Sequence, residues 1–387
     1  MLDSSVASMD STEPGEQQGM AIGVPIRYFL LGDEERAQKQ LALAKERHWL
    51  GSTCIASAMK RLSRAVVGEE LYQQLQTAAP VLVTGSCGYL GSALLAILRD
   101  LGIKARGLDL MAPDTVENMA GDVGMEQVVQ RAAEGCRSVI HAAALHAPNL
   151  DFYTEADYKH VNLGGTRHVL NVATAMGLSC VFSSTTSLMN TQKVKERSKS
   201  STLVLKASED YGTPRNIYGV TKKKAEQYCV DSGCSVAILR CSRFFAEDAY
   251  DTSMDPATRG ATLSNGNVKA NELLCGLRAS LEDMVMAHLA ALGRIATDDE
   301  RRVLGPFIIS ACSPLLDHED LDSQFFESAK SMYRALDWKF PQKPLGRILD
   351  SRDTWQRLNW QPRWDFLSLV RDFTGGANLD IIKDGSY

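Results

Sequence analysis

Tyr218 and Lys222, in IYGVTK, are spaced Y-x-x-x-K and so fall on one face of any helix that contains them. A phenol titrates near 10, so a tyrosine base working near neutral pH needs its anion stabilised by roughly 3 pKa units, or about 4 kcal/mol. An ammonium one turn away helps to supply that field. The same spacing also arises as a packed tyrosine beside a solvated lysine, so by itself it leaves both roles open. Thr185, in VFSSTTS, adds a hydroxyl that can bond a substrate oxygen, and Lys222 can also hold a nicotinamide ribose. The chemistry these three suit is proton transfer at a hydroxyl whose carbon exchanges hydride with a nicotinamide.

A second set of residues suits a dinucleotide. VLVTGSCGYLGSALL, Val81 to Leu95, places Gly85, Gly88 and Gly91 after a short apolar run. Glycines at that interval let a backbone turn tightly, approach a pyrophosphate and pack a helix on a strand, with the helix N-terminus facing the phosphates. The pattern alone is equally that of a small-residue turn. Asp109, near the end of KARGLDL, stands twenty-four residues after Gly85. A carboxylate there accepts from adenosine ribose hydroxyls and repels a 2′-phosphate, which favours NAD over NADP; a turn or helix cap is the plainer role for one aspartate.

These residues need a scaffold, and the pattern after Pro80 supplies one. Short apolar runs (VLVTG, KARGLDL, SVIHAAA, SCVFSS, SVAILR) alternate with helical segments at Ser92–Leu101, Met125–Ala133, Tyr158–Ala175 and Tyr218–Val230. Strands separated by crossover helices predict right-handed βαβ units and a doubly wound, Rossmann-type α/β domain with a parallel sheet. Beyond about Phe245 the alternation gives way to helices at Asn271–Cys275, Leu281–Arg294 and His318–Leu336 and brief strands such as PFIIS. The predicted organisation is a disordered N-terminus over 1–20, a helical extension over 21–79, a nucleotide-binding domain over 80–245, and a substrate-binding lobe with tail over 246–387, discontinuous with that domain. The extension carries helical patterns at Asp33–His48, Thr53–Leu62 and Glu69–Thr77. Gln192–Ser201, QKVKERSKSS, reads as a solvated loop, with a phosphate contact as its second reading.

Composition narrows the function classes. A net charge of −5 gives no footprint for nucleic acid, and no apolar run reaches the roughly 18 to 20 residues of a membrane helix. Nine cysteines without a CxxC pair suggest neither zinc nor a disulfide framework, so no metal is expected and a reducing compartment fits. The N-terminus lacks the features of a signal or transit peptide, so the expected location is the cytoplasm, with an organelle as the alternative.

In order along the chain, these motifs resemble those of the extended short-chain dehydrogenase/reductases, the NAD-dependent epimerase/dehydratase family typified by nucleotide-sugar 4-epimerases. The likeness runs from about Pro80 to Phe245 and more loosely to Phe373. The G-x-x-G-x-x-G spacing resembles the extended branch. AGDV at 120–123 is similar to the adenine-contacting segment, with Asp122 and Val123 as contacts. HAAAL at 141–145 resembles the strand end beside the cofactor, and NLGGT at 162–166 the N-x-x-G-T in which Asn162 ties two strands at the active-site floor. LEDMVMAH at 281–288 looks like a substrate-lobe element with Asp283 near the site, and LNWQPRWDF like the C-terminal "LGW-P" signature.

The resemblance implies NAD as cofactor, held by Gly85, Ser86, Cys87, Gly88, Tyr89, Leu90, Gly91, Asp109, Asp122, Val123, Ala142, Ala143, Ala144, Ser183, Ser184, Tyr218 and Lys222. It implies a catalytic set of Thr185, Tyr218, Lys222 and Asn162, and substrate contacts from His146, Thr185, Thr186 and Arg243. It also implies a homodimer formed through two long helices; the N-terminal extension is available to a protein partner. Two departures bear on substrate. After SVAILR the chain reads Cys241-Ser242-Arg243-Phe244-Phe245 where epimerases place an asparagine, and His146 stands where they often carry lysine. Arg243 then bonds a diphosphate or an acidic surface neighbour; His146 is a substrate contact or a structural histidine.

The leading expectation is epimerase or dehydratase chemistry on a carbohydrate-like, nucleotide-sugar substrate. The alternatives are a one-way reductase or dehydrogenase of a small ketone or alcohol, and a nucleotide-binding scaffold subunit without turnover.

Overall fold

The computed structural model describes residues 64–368, apart from 113, 114, 148, 149, 151, 152, 246–265, 299, 301, 317–323, 336 and 343. The expected disorder over 1–20 and the helices over Asp33–His48 and Thr53–Leu62 lie outside the described residues. Among these, the strands are β1 (Val81–Thr84), β2 (Ala105–Asp109), β3 (Asn118–Ala120), β4 (Ser138–His141), β5 (Ser179–Thr185), β6 (Leu203–Lys206), β7 (Val236–Cys241), β8 (Arg243–Phe245), β9 (Arg278–Ser280), β10 (Val303–Ile309) and β11 (Arg347–Asp350).

Seven of them form one parallel sheet in the order β10-β7-β5-β4-β1-β2-β3. β1, β4 and β7 are buried along their whole length, because a parallel sheet covered on both faces buries both sets of side chains. That is why the VLV of β1 and the VAIL of β7 read as continuous apolar runs. The order reverses between β1 and β4, and the loops at the carboxyl ends of those strands frame the crevice where such sheets bind ligands.

One face is covered by the Tyr89–Asp100 and Leu281–Ala296 helices, whose Leu94, Ile97, Leu289 and Leu292 are fully or nearly fully buried. Helix Glu69–Ala78 lies across the second of these, with Leu71 and Gln74 directly over Gly293. The opposite face carries helices Glu126–Ala133, Thr166–Met176 and Ile217–Asp231. A smaller core around Leu273, Leu315, Met332, Tyr333 and Phe366 belongs to the C-terminal segments. β6 with β11, and β8 with β9, form two short parallel pairs beside the main sheet.

Two segments depart from expectation. The helix predicted over Tyr158–Ala175 is divided: Thr154 starts Glu155–Tyr158 with a capping box, a π-helix follows over Lys159–Gly165, and α-helix resumes over Thr166–Met176. Gln192–Ser201 is not simply a loop, because Gln192–Arg197 is helical. Thr191 caps it by accepting from the Val194 N–H at 3.2 Å, and Val194 is buried. One apolar residue among six gives no helical stripe, so the cap was the legible signal.

Candidate active site

Gly85 follows β1 at φ +70°, and a Cβ there would meet the Ala143 nitrogen at 2.7 Å. A Cβ on Gly91 would overlap the Gly85 carbonyl oxygen. The turn and the helix start therefore exist in this form only with hydrogen at both positions. Gly88 caps the Tyr89–Asp100 helix, whose first N–H groups have no intrahelical acceptor and face the crevice end of β1. Asp109 at the end of β2 accepts from the Cys87 N–H at 3.1 Å and the Met111 N–H at 2.9 Å. Those bonds fix its carboxylate against the glycine loop. Ser86 is buried against Gly107, Tyr89 stacks on Phe244 with centroids 5.8 Å apart, and Leu90 packs on the core beneath. A backbone cradle with no room for side chains, closed by one carboxylate, fits a dinucleotide pyrophosphate and ribose.

Across the crevice, Asn216 caps the Ile217–Asp231 helix by accepting from the Gly219 N–H at 2.9 Å, which sets the rotation that carries Tyr218 and Lys222 inward. Both are buried, at 6% and 1% exposure. The Tyr218 side chain neighbours that of Thr185. Burial pushes the phenol above its usual value, and the neighbouring Thr185 partly opposes this. Lys222 Nζ donates to the Ser183 carbonyl at 2.7 Å and lies 4.6 Å from the Phe182 ring centroid. Burial brings its ammonium down to about 8. The spacing thus places both side chains in one buried site, with the lysine tied to the strand next to the tyrosine's threonine partner.

Ser183 and Ser184 point to opposite faces of β5, and neither hydroxyl is turned to the cradle. Ser184 Oγ donates to Glu226 Oε1 at 2.5 Å. Glu226, one turn beyond Lys222, takes Arg240 in a bidentate pair with contacts of 2.8 to 3.2 Å, and Arg240 also donates to the Ala207 carbonyl at 2.9 Å. On the other face, His288 Nδ1 faces the Met284 carbonyl at 2.7 Å, so Nδ1 carries the proton and Nε2 accepts from Ser183 Oγ at 2.9 Å. The two serines thus clamp the strand to helices on either side of the sheet.

Asn162 sits inside the π-helix with no exposed surface. Its Oδ1 accepts from the Leu145 N–H at 2.8 Å, and its Nδ2 donates to the Leu145 carbonyl at 3.0 Å and to Thr221 Oγ1 at 3.3 Å. It fastens the segment after β4 to the tyrosine helix, rather than tying two strands. A buried chain continues from it. Thr166 Oγ1 donates to the Asn162 carbonyl at 2.7 Å and therefore accepts from His141 Nε2 at 3.0 Å. His141 Nδ1 then accepts from Thr84 Oγ1 at 2.7 Å, and Thr84 Oγ1 accepts from the Ala143 N–H at 3.3 Å. The chain connects the residue before Gly85 to the active-site floor.

Both histidines are buried and neutral, and burial lowers His141 to about 3 and His288 to about 4. A histidine depressed in the folded state stabilises the fold above its unfolded value near 6.5, and that stability is lost as pH falls toward the folded value. Between pH 7.5 and 4.5, His288 accounts for about 2.5 kcal/mol of lost stability. Denaturant titrations of His288→Gln at the two pH values will show a pH dependence smaller by about that amount; an undiminished dependence contradicts the assignment. Asp283 acts in the opposite sense, because burial raises its carboxyl to about 7.

The remaining expected residues divide. Asp122 Oδ1 accepts from the Gly124 N–H at 2.7 Å and Oδ2 faces His160 Nε2 at 2.8 Å, while Val123 is buried against Gly165. Ala142, Ala143 and Ala144 run from the end of β4 past the Gly85 turn. His146 is exposed, its ring centroid 5.8 Å from that of Tyr218, and Thr186 opens a 3-10 turn directly after Thr185. Arg243 contacts Glu272 at 3.1 Å, the acidic neighbour foreseen as one of its two roles. Asp283 is turned to the tail, accepting from the N–H groups of Arg363 at 2.7 Å and Trp364 at 3.1 Å. His141, Glu226, Arg240 and His288 were not singled out in the sequence. Only the histidines left a trace there, as lone polar residues closing apolar runs. Among the described residues no cluster of three His, Cys, Asp or Glu side chains is placed to hold a metal, and no helix is long and apolar enough to cross a membrane.

Comparison with known proteins gives a consistent family. Residues 81–304, more than half of the chain, match the sequence model of the NAD dependent epimerase/dehydratase family. A UDP-glucose 4-epimerase of Azospirillum brasilense is 30% identical over 173 residues, 41% of this chain and 47% of that protein. A 3 beta-hydroxysteroid dehydrogenase/Delta 5-->4-isomerase of Mycobacterium tuberculosis is 31% identical over 120 residues, 28% of this chain and 32% of that protein. The chain spans about half the length, or less, of these curated relatives. Among solved structures, a short-chain dehydrogenase/reductase superfamily protein of Agrobacterium tumefaciens with bound NAD has a TM-score of 0.53 at 21% identity, over 79% of this chain and 98% of that one. That likeness concerns the fold.

Proposed function

The chain belongs to the NAD-dependent epimerase/dehydratase family, with NAD as cofactor, and from that premise we propose that it carries out epimerase or dehydratase chemistry on a nucleotide-sugar, with Tyr218 as acid and base. The observation that carries this reading is the buried Tyr218, beside Thr185 at the end of β5 and one helical turn from the buried Lys222, in a crevice that also holds the Gly85–Gly91 cradle.

Bound NAD supplies the acceptor and donor of hydride. The residues of the chain do the rest. Gly85, Gly88, Gly91 and the first turn of the Tyr89–Asp100 helix hold the pyrophosphate, and Asp109 selects the unphosphorylated ribose. Thr185 Oγ1 orients the substrate oxygen against Tyr218 Oη. The proton of the substrate hydroxyl passes to Tyr218 Oη as hydride leaves the carbon, and returns from Oη when the carbonyl is reduced again. Burial raises the phenol and favours its protonated form, so Tyr218 must first lose that proton to solvent before its phenolate can accept the proton of the substrate hydroxyl. Its base form draws on Lys222, held one helical turn away on the Ser183 carbonyl. Re-reduction from the opposite face inverts the carbon, and elimination at the neighbouring carbon gives the dehydratase outcome.

The cycle is redox-neutral, which separates it from a one-way dehydrogenase, the second reading favoured by the steroid dehydrogenase relative. Incubation with a panel of UDP- and dTDP-sugars and only catalytic NAD will give an epimer or a 4-keto-6-deoxy product by NMR. Turnover that stops after one equivalent of NAD, or runs only on small alcohols, favours the dehydrogenase. In this reading the protein is cytoplasmic and works as a homodimer, which light scattering checks.

A further inference from the structure

The outer end of the cofactor crevice is closed by an element from elsewhere in the chain. A dinucleotide laid across the carboxyl ends of the strands, with its pyrophosphate on Gly85–Gly91 and a ribose at Asp109, continues toward the next strand outward. That strand is β3, which pairs with β2 so that Ala120 stands opposite Asp109. The base therefore meets the segment leaving β3, Gly121 to Gly124, whose Gly121 N–H donates to the Asp109 carbonyl at 3.0 Å. This segment carries one ionisable side chain, Asp122.

Asp122 is held in one orientation. Its Oδ1 accepts from the Gly124 N–H at 2.7 Å, and its Oδ2 meets His160 Nε2 at 2.8 Å. A carboxylate only accepts, so Nε2 is the donor. His160 belongs to the π-helix Lys159–Gly165, which packs on the Asp122 segment at two points. A Cβ on Gly124 would overlap Nε2 and Cε1 of His160, and a Cβ on Gly165 would lie 2.8 Å from Val123 Cγ1. Both glycines thus admit the close approach that brings the imidazole to the carboxylate. Two residues on, Asn162 fastens the same π-helix to Leu145 and Thr221, so His160 rides on a segment fixed at its base. The imidazole is half-exposed and adds little to the core; what its contact does is set the carboxylate.

We propose that His160 is a positioning residue for the cofactor, holding the Asp122 carboxylate at the end of β3 so that it takes the exocyclic amino group of adenine. A carboxylate offers about four lone-pair sites, so acceptor capacity remains after the Gly124 and His160 bonds are made. An amino group supplies the hydrogen that this capacity needs, whereas a base with a carbonyl oxygen at the same place sets acceptor against acceptor and leaves the carboxylate short of a bond. The pair makes the site selective for adenine rather than for any dinucleotide. The inference stands on NAD as cofactor and does not depend on the nucleotide-sugar reading.

The test is a competition. Full-length protein is equilibrated with equal concentrations of NAD and nicotinamide hypoxanthine dinucleotide, in which a carbonyl replaces the amino group. Unbound nucleotide is removed, and the bound dinucleotides are released by denaturation and counted by chromatography. Wild type will retain NAD over the hypoxanthine form by about tenfold or more. In His160→Ala the preference will fall to about threefold or less. Gly124→Ala will do the same, because its methyl group displaces the tip of a half-exposed side chain and leaves the backbone in place. His160→Gln, whose amide can donate to the same oxygen, will keep most of the preference. A merely structural role for His160 lowers retention of both dinucleotides and leaves their ratio as in wild type, which overturns the proposal. So does a wild type without preference, or a lost preference that glutamine does not restore. Retention of neither dinucleotide by wild type overturns the cofactor assignment along with it. Because the measurement needs no turnover, its outcome is separate from that of the nucleotide-sugar assay.

Discussion

Tyr218→Phe will lower kcat by about 10²- to 10⁴-fold, the range of a lost general acid–base, while the purified protein keeps its full NAD content. The substitution removes one oxygen atom from a ring that is almost completely buried, so the packing against Tyr153 and Tyr158 survives. What disappears is the proton carrier beside the Thr185 hydroxyl. Thr185 keeps its second task, accepting from the Ser187 N–H at 3.0 Å, so the strand end is not released. KM should change by less than about threefold if the hydroxyl acts mainly in the transition state. A variant that retains more than about a tenth of wild-type kcat removes Tyr218 from the chemistry. One that loses NAD as well as activity makes the residue structural.

Gly91→Ala will weaken NAD binding by about a hundredfold or more and lower the melting temperature by several degrees. The added methyl group would overlap the carbonyl oxygen of Gly85 and lie 2.8 Å from its carbonyl carbon and 3.1 Å from Ser86 Cα, all of them backbone atoms that no rotamer change can move aside. Either the loop opens or the helix shifts outward, and in both cases the cradle for the pyrophosphate is lost. Gly164→Ala is the control, because its new methyl group meets the Lys159 carbonyl oxygen at 3.7 Å, an ordinary contact. Fluorescence titration of NADH into the two variants reads the difference. Equal affinity in both contradicts the role assigned to the glycine loop.

The scaffold and the two faces of the crevice were legible because each leaves a local mark. A strand buried on both faces is largely apolar, as in the VLV of β1 and the VAIL of β7. A turn with no room for Cβ must carry glycine, as at 85 and 91. The tyrosine and lysine share one helix, so their spacing is enough to place them on one face. What holds these parts together left little trace, because it depends on partners distant in sequence. Glu226 and Arg240 read as surface charges until the fold buries them against each other and against Ser184. Asn162 was expected at the site floor, yet its partners Leu145 and Thr221 could not be named before the π-helix was seen. Ser183 and Ser184 were expected at the cofactor, but period-two alternation along β5 sends their hydroxyls to opposite helices. The helix at Gln192–Arg197 was missed because five of its six residues are polar or charged.

A transient-kinetic experiment tests the role of Tyr218 most directly. NAD-loaded wild type and Tyr218→Phe are mixed with excess UDP-glucose or UDP-galactose, and the fluorescence of reduced nicotinamide is followed in time. Reduced nicotinamide will rise and decay in wild type as product forms, and in the variant its rise will slow by the same factor as kcat. A rise of equal rate in both proteins, or product formed by wild type with no reduced nicotinamide at any time, would contradict it.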